Sequence, residues 1–299
     1  MRAKRLKVIY GSVFIVFIML FTQCSTERDS RDTPEMISVS ILPQKYIVDM
    51  ITGGKYPVNV MVPPGASPAS YEPSPRQISG LNRSAVYFRI GQIIFEKTWI
   101  KNIMNENPGL KVVDLSENIE FLEEPEHENE PGGNTGHQHG NYDPHIWMSP
   151  ANMRIISESV LKELESDFPG DSGLFRSNFK NLMDRINEID SIFLADSVLL
   201  TGLNFLIYHP AMGYLARDYK MVQHVLEEEG KEPGTAHMAR LIDEAKQNNI
   251  RYIFIQRQFN VENARTLARD LDAEIIEIDP LAENWYQEMK KIHNYLVKQ

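Results

Sequence analysis

The 299-residue sequence has one cysteine, Cys24. It can form no internal disulfide, so its stability has to come from a buried core. It also lacks a basic excess: 31 Lys and Arg stand against 41 Asp and Glu, a net charge of −10. A nucleic-acid partner wants a basic face, and that class is excluded. Neither a His-Glu-x-x-His nor a Gly-x-Ser-x-Gly string occurs, so the short signatures of zinc peptidases and serine hydrolases are missing. The apolar run Val8–Phe21 has 14 residues, too few to span a bilayer as a helix.

That run follows Arg2, Lys4, Arg5 and Lys7 without an intervening acid, and it reads as the core of a signal peptide over residues 1–23. Cys24 comes next and opens a polar stretch, Ser25-Thr26-Glu27-Arg28. The arrangement resembles a bacterial lipoprotein signal, in which the cysteine is lipidated and becomes the mature N-terminus. Gln23 stands where such signals usually carry a small residue, and an uncleaved anchor is the alternative. Either way the mature chain faces an extracytoplasmic space, the periplasm or cell envelope, tied to the membrane. Without residues 1–23 and their four basic side chains the net charge becomes −14.

Length and pattern predict two domains. After a linker over 24–35, short apolar runs at Ile37–Ile41, Val58–Val62, Ala85–Ile90 and Lys111–Asp114 alternate with helical patterns. This predicts a first lobe, 36–169, built on a mainly parallel sheet with helices on both faces. Phe175, Phe179, Leu182, Ile186, Ile189 and Phe193 then step by three and four, an amphipathic helix of about 20 residues, roughly 30 Å. Lying between two strand-helix series, it reads as a bridge over 170–197, although an ordinary packing helix fits the same pattern. A second series, 198–299, repeats the alternation with strands ending at Tyr208, Leu226, Ile255 and Ile278. The fold class expected is α/β, two lobes joined by one long helix.

The most informative stretch is Gly140-Asn-Tyr-Asp-Pro-His-Ile-Trp-Met-Ser-Pro150. Pro144 stiffens the chain around Asp143 and His145, and Ser149-Pro150 reads as a helix cap and first turn. His209 and Asp279 each sit beside a proline at the carboxyl end of a predicted strand, where ligands bind in open α/β sheets. Two imidazoles and a carboxylate meeting there suit zinc, with manganese or iron tolerated. Scattered structural residues are the alternative, because the three lie far apart in sequence.

From about Ile37 onward the chain resembles the zinc/manganese-type solute-binding lipoproteins of bacterial ABC importers. The resemblance rests on Pro64-Gly-Ala-Ser-Pro68 with Tyr71-Glu-Pro73, on Asp143-Pro-His-Ile-Trp147, on His209-Pro-Ala-Met-Gly-Tyr-Leu-Ala216 and on Asp279-Pro-Leu281, in this order. It implies two α/β lobes joined by one long helix with the ion between them, and ligand roles for His145, His209 and Asp279. It further implies a monomeric, non-enzymatic receptor that delivers the ion to an ABC permease. One position departs from the pattern: the family carries a first histidine ligand after the Pro68 equivalent, and this chain has Ala69. Glu72, Ser70, water or a histidine from 127–139 is left to take that corner.

The loop 123–139 sets His127, His137 and His139 among Glu123, Glu124, Glu126, Glu128 and Glu130. It reads as a solvated loop able to capture zinc weakly, and such an insertion before the second ligand resembles the zinc branch. His224, His237 and His293 read as structural, and Glu227–Glu229 as a solvated acidic turn. Two other functions stay open: a lipid-anchored zinc hydrolase, which an empty coordination corner would suit, and a metal-free adhesion or scaffold lipoprotein.

Overall fold

The computed structural model describes residues 35–123, 142–227, 234–256 and 262–298. The expected signal segment, Cys24 and the imidazoles of His127, His137 and His139 lie outside the described residues.

The first lobe runs β1 (Met36–Val39), α1 (Leu42–Thr52), β2 (Val58–Val60), α2 (Pro75–Leu81), β3 (Ser84–Arg89), α3 (Ile94–Glu106) and β4 (Lys111–Asp114). Its strands are all parallel in the order β2-β1-β3-β4. Helices cover both faces, so Ile37, Ser38 and Val39 of β1 are all fully buried. Local signals set the boundaries. Ser74 caps α2 by accepting from the Gln77 amide at 3.4 Å, while the Gln77 side chain accepts from the Ser74 amide at 2.8 Å. Gly53, at φ +67°, ends α1.

After α4 (Pro150–Asp167) and α5 (Ser172–Ala195) comes a one-turn α6 (Ser197–Leu200). The second lobe follows as β5 (Asn204–Ile207), α7 (Gly213–Tyr219), β6 (Val222–Val225), α8 (Thr235–Gln247), β7 (Tyr252–Gln256), α9 (Glu262–Leu271), β8 (Glu274–Ile278) and α10 (Trp285–Leu296). Its order, β6-β5-β7-β8, repeats that of the first sheet, again all parallel. In each sheet the chain starts on an inner strand, steps to the edge and crosses back, leaving a switch point between β1 and β3 and between β5 and β7. Crevices for ligands open beyond the carboxyl ends at such points.

The expected two-lobed α/β architecture with one long joining helix is the one observed. Phe175, Leu182, Ile186, Ile189 and Phe193 of α5 are fully buried, each contributing about 1.5–3 kcal/mol by leaving water. The 24 residues of α5 pack on α1 and α4 from the first lobe and on α10 from the second. Asn178 donates to the Ile51 carbonyl at 3.1 Å, and Lys290 donates to Glu188 at 2.8 Å. The lobes are also stitched directly: Trp147 Nε1 donates to the Pro280 carbonyl (2.7 Å) and Trp285 Nε1 to the Trp147 carbonyl (2.8 Å). One apolar cluster therefore runs through both lobes, with Phe88, Trp147, Phe193 and Trp285 among its members. Among the described residues no helix is long and apolar enough to cross a membrane.

The turn between β3 and α3 is held from inside. Glu96, fully buried, accepts from the amides of Ile90 (2.6 Å) and Gly91 (2.7 Å) and from the Ser40 hydroxyl. Burial pushes its carboxyl up to about 7. These bonds fix the chain that carries Gln92 and Ile93 to the crevice between the lobes.

Candidate metal centre

His145 is presented by a stiff local device. The Asp143 carboxylate accepts from the His145 amide and from its ring Nδ1, both at 2.8 Å, closing a turn over Pro144. The two side chains are about nine-tenths buried. Asp143 is in turn held from the second lobe, because the Tyr214 hydroxyl donates to its backbone carbonyl at 2.8 Å. Burial pushes that hydroxyl up to about 12, so it remains a donor at neutral pH. Gly213, the first residue of α7, lies so close that any Cβ there would collide with the Asp143 carboxylate.

His209 is presented in the same way by the second sheet. It lies just past β5, where the Gln256 carboxamide clamps its backbone, accepting from the amide at 3.2 Å and donating to the carbonyl at 2.7 Å. Its Nδ1 lies 2.7 Å from Oε1 of Glu227 at the end of β6, a side chain only 7% exposed. A carboxylate can only accept, so each imidazole donates from Nδ1, and Nε2 is the ring nitrogen on the side away from the carboxylate. Ligating histidines are oriented by this kind of partner.

The rings meet edge to face with centroids 5.1 Å apart. Two imidazoles bound through one nitrogen each to a tetrahedral zinc would have their centres about 5.2 Å apart, given Zn–N bonds of about 2.05 Å. They line a cavity of about 280 Å³ together with Ser67, Pro68, Ala69, Gln92, Ile93 and Lys97. The Oε2 atom of Glu227 is buried there without a hydrogen-bond partner among the described residues, a state that a nearby positive charge relieves.

The remaining candidates from the sequence sit differently. Pro280 and Leu281 line the cavity while Asp279 does not. Its Oδ1 accepts from the Leu281 amide at 3.0 Å, and its own amide donates to Glu288 at 2.8 Å. Glu72 is exposed and off the cavity wall, whereas Ala69 is on it. Among the described residues no three His, Cys, Asp or Glu side chains are already gathered as metal ligands. Two sequence readings need correcting or extending. Glu227 is not part of a solvated turn: it is buried against His209. Gln256 was not singled out at all. The signal for Glu227 was the strand register, since Ile207 pairs with Val225 and puts His209 level with Glu227 two residues on. His224 and His237 are bound up within the second lobe, to Asn204 (2.8 Å) and the Val225 carbonyl (3.2 Å). His293 packs on Phe193.

The family model described as zinc-uptake complex component A, periplasmic, matches residues 37–298. The chain belongs to that family. A member-like protein of Chlamydia muridarum, described as metal-binding, is 26% identical over 93% of this chain and 96% of its own length. The high-affinity zinc uptake system protein ZnuA of Bacillus subtilis is 23% identical over 90% of this chain and 85% of its own. A crystal structure of a ZnuA deletion mutant with zinc bound is 30% identical, with a TM-score of 0.77 over 88% of this chain and 97% of the other. Ala69 contributes only a methyl group to the cavity that the two imidazoles line.

Proposed function

We propose that the chain is an extracytoplasmic zinc receptor that delivers its ion to an ABC permease and is held at the membrane through a lipidated Cys24. The observation that carries this reading is the imidazole pair, 5.1 Å between centres, with a buried carboxylate behind each Nδ1. His145 and His209 are read as ligands through Nε2. Asp279 is the third, reached by turning its carboxylate from the Leu281 amide. Glu72, off the wall, drops behind water or another small donor for the fourth corner. Zinc is preferred over manganese and iron because two imidazoles make a nitrogen-rich, borderline donor set. The zinc-bound ZnuA structure and the zinc-uptake relative support the same choice.

The reading is a receptor and not a hydrolase, because Asp143 and Glu227 are committed to imidazole Nδ1 atoms. A hydrolase needs a base free to take a proton from metal-bound water. Competitive titration of the metal-stripped chain with zinc, manganese and iron(II) tests the assignment. Zinc binding tightest is expected, and a chain that retains none of the three contradicts it.

Two substitutions probe the walls. Ala69→His should tighten zinc binding about tenfold, about 1.4 kcal/mol, because it adds an imidazole facing the other two; calorimetric titration reads it, and an unchanged affinity would place that loop out of reach of the ion. Gly213→Ala pushes its new methyl into the Asp143 carboxylate and loosens the hold on His145. We expect about a tenfold loss in affinity, at the low end of what disturbing the hydrogen-bond partner of a ligating histidine costs, with the thermal midpoint of the metal-free protein little changed. Parallel titration and melting check both halves.

A further inference from the structure

The crevice is too large, and its second wall chemically wrong, for a bare ion. Its volume is roughly 280 Å³, while zinc on His145, His209 and Asp279 needs only one further donor. The imidazole wall supplies the nitrogen donors. The stretch Ser67–Ala69 and the turn into α3, which also line the cavity, bring no Asp, Glu, His or Cys side chain to it among the described residues. They bring instead Lys97 and Gln92, together with the apolar Ile93 and Pro68. Lys97 has no acidic partner within ion-pair distance among the described residues, in a chain whose net charge is −10. A cation placed on the rim of a cation site repels a naked metal ion and attracts an anion. A carboxamide and an ammonium lining one cavity are donors matched to a carboxylate.

We infer that the site takes zinc together with a small chelating carboxylate, an α-amino or α-hydroxy acid. In this ternary complex His145, His209 and Asp279 hold one side of the ion. The chelator's amine or hydroxyl and one carboxylate oxygen complete the coordination, with zinc accepting a fifth ligand where both bind. The outer carboxylate oxygen lies against Lys97 and Gln92, and the chelator fills the space beside Ala69. The inference rests on the zinc-receptor reading above but can fail without it.

The test is native mass spectrometry of the mature full-length chain at a fixed, buffered free-zinc concentration. Samples contain zinc alone, zinc with L-histidine and zinc with citrate. At least one chelator should appear as a mass gain of zinc plus one chelator molecule and raise zinc retention at least tenfold over zinc alone. Lys97→Met should lose both the added mass and the enhancement, while its affinity for zinc alone should not fall and should rise if anything, because a positive charge beside the ion has been removed. A mass gain of zinc alone with both chelators overturns the inference and leaves the receptor standing. Lys97→Met retaining the full enhancement also overturns it. Absence of zinc from every sample overturns the receptor reading as well.

Discussion

His145→Ala and His209→Ala should each lower zinc affinity by roughly a thousandfold, about 4 kcal/mol. Each removes one of the two nitrogen donors whose rings lie 5.1 Å apart, and among the described residues no third imidazole stands on the cavity wall to replace it. Folding should survive, because both rings border the cavity and belong to neither apolar cluster. His145→Ala leaves Asp143 its bond from the backbone amide of residue 145, so the turn over Pro144 keeps half of its support. Calorimetric titration and a thermal melt of each variant separate loss of the site from loss of the fold. Wild-type affinity in either variant would mean that the ion sits elsewhere.

The carboxylates behind the imidazoles should come next in magnitude. Glu227→Ala is expected to cost between about tenfold and a hundredfold in affinity, the usual range for partners of ligating histidines. Its role is to fix the tautomer and the ring plane of His209, which a carboxamide oxygen can partly do. Glu227→Gln should therefore recover much of the loss. A purely electrostatic role would make the two substitutions equivalent, since both remove the same charge. Asp143→Asn and Asp143→Ala should show the same ordering at His145, and titrations of all four variants at one pH decide the matter.

The fold was largely legible because its periodicities are long. The three-and-four spacing from Phe175 to Phe193 could only be buried along one face of a helix, and the observed α5 buries Phe175, Leu182, Ile186, Ile189 and Phe193 fully and Phe179 in part. Strand ends were less readable. The apolar run Val58–Val62 continues to pair beyond the last strand residue, Val60, with Met61 and Val62 donating to Val39 and Ser40 at 2.9 Å; composition alone does not say where regular geometry stops. Of the candidate ligands, His145 and His209 were visible because proline neighbours and strand ends mark them in the sequence. Glu227 was hidden by Glu228 and Glu229, since a charge run usually means a solvated turn. Only the pairing of β5 with β6 sets it beside His209. The approach of the Pro68–Ala69 loop was likewise unreadable, because it depends on a bond from the Phe95 amide to the Pro68 carbonyl, 27 residues away.

The central claim is that His145 and His209 share one zinc ion. Anomalous diffraction at the zinc edge from crystals grown with zinc tests it most directly. A single strong peak about 2.0–2.1 Å from Nε2 of both residues, with Nδ1 of each still on its carboxylate, is the predicted result. A peak bound through Nδ1, or one that touches neither ring, would contradict it.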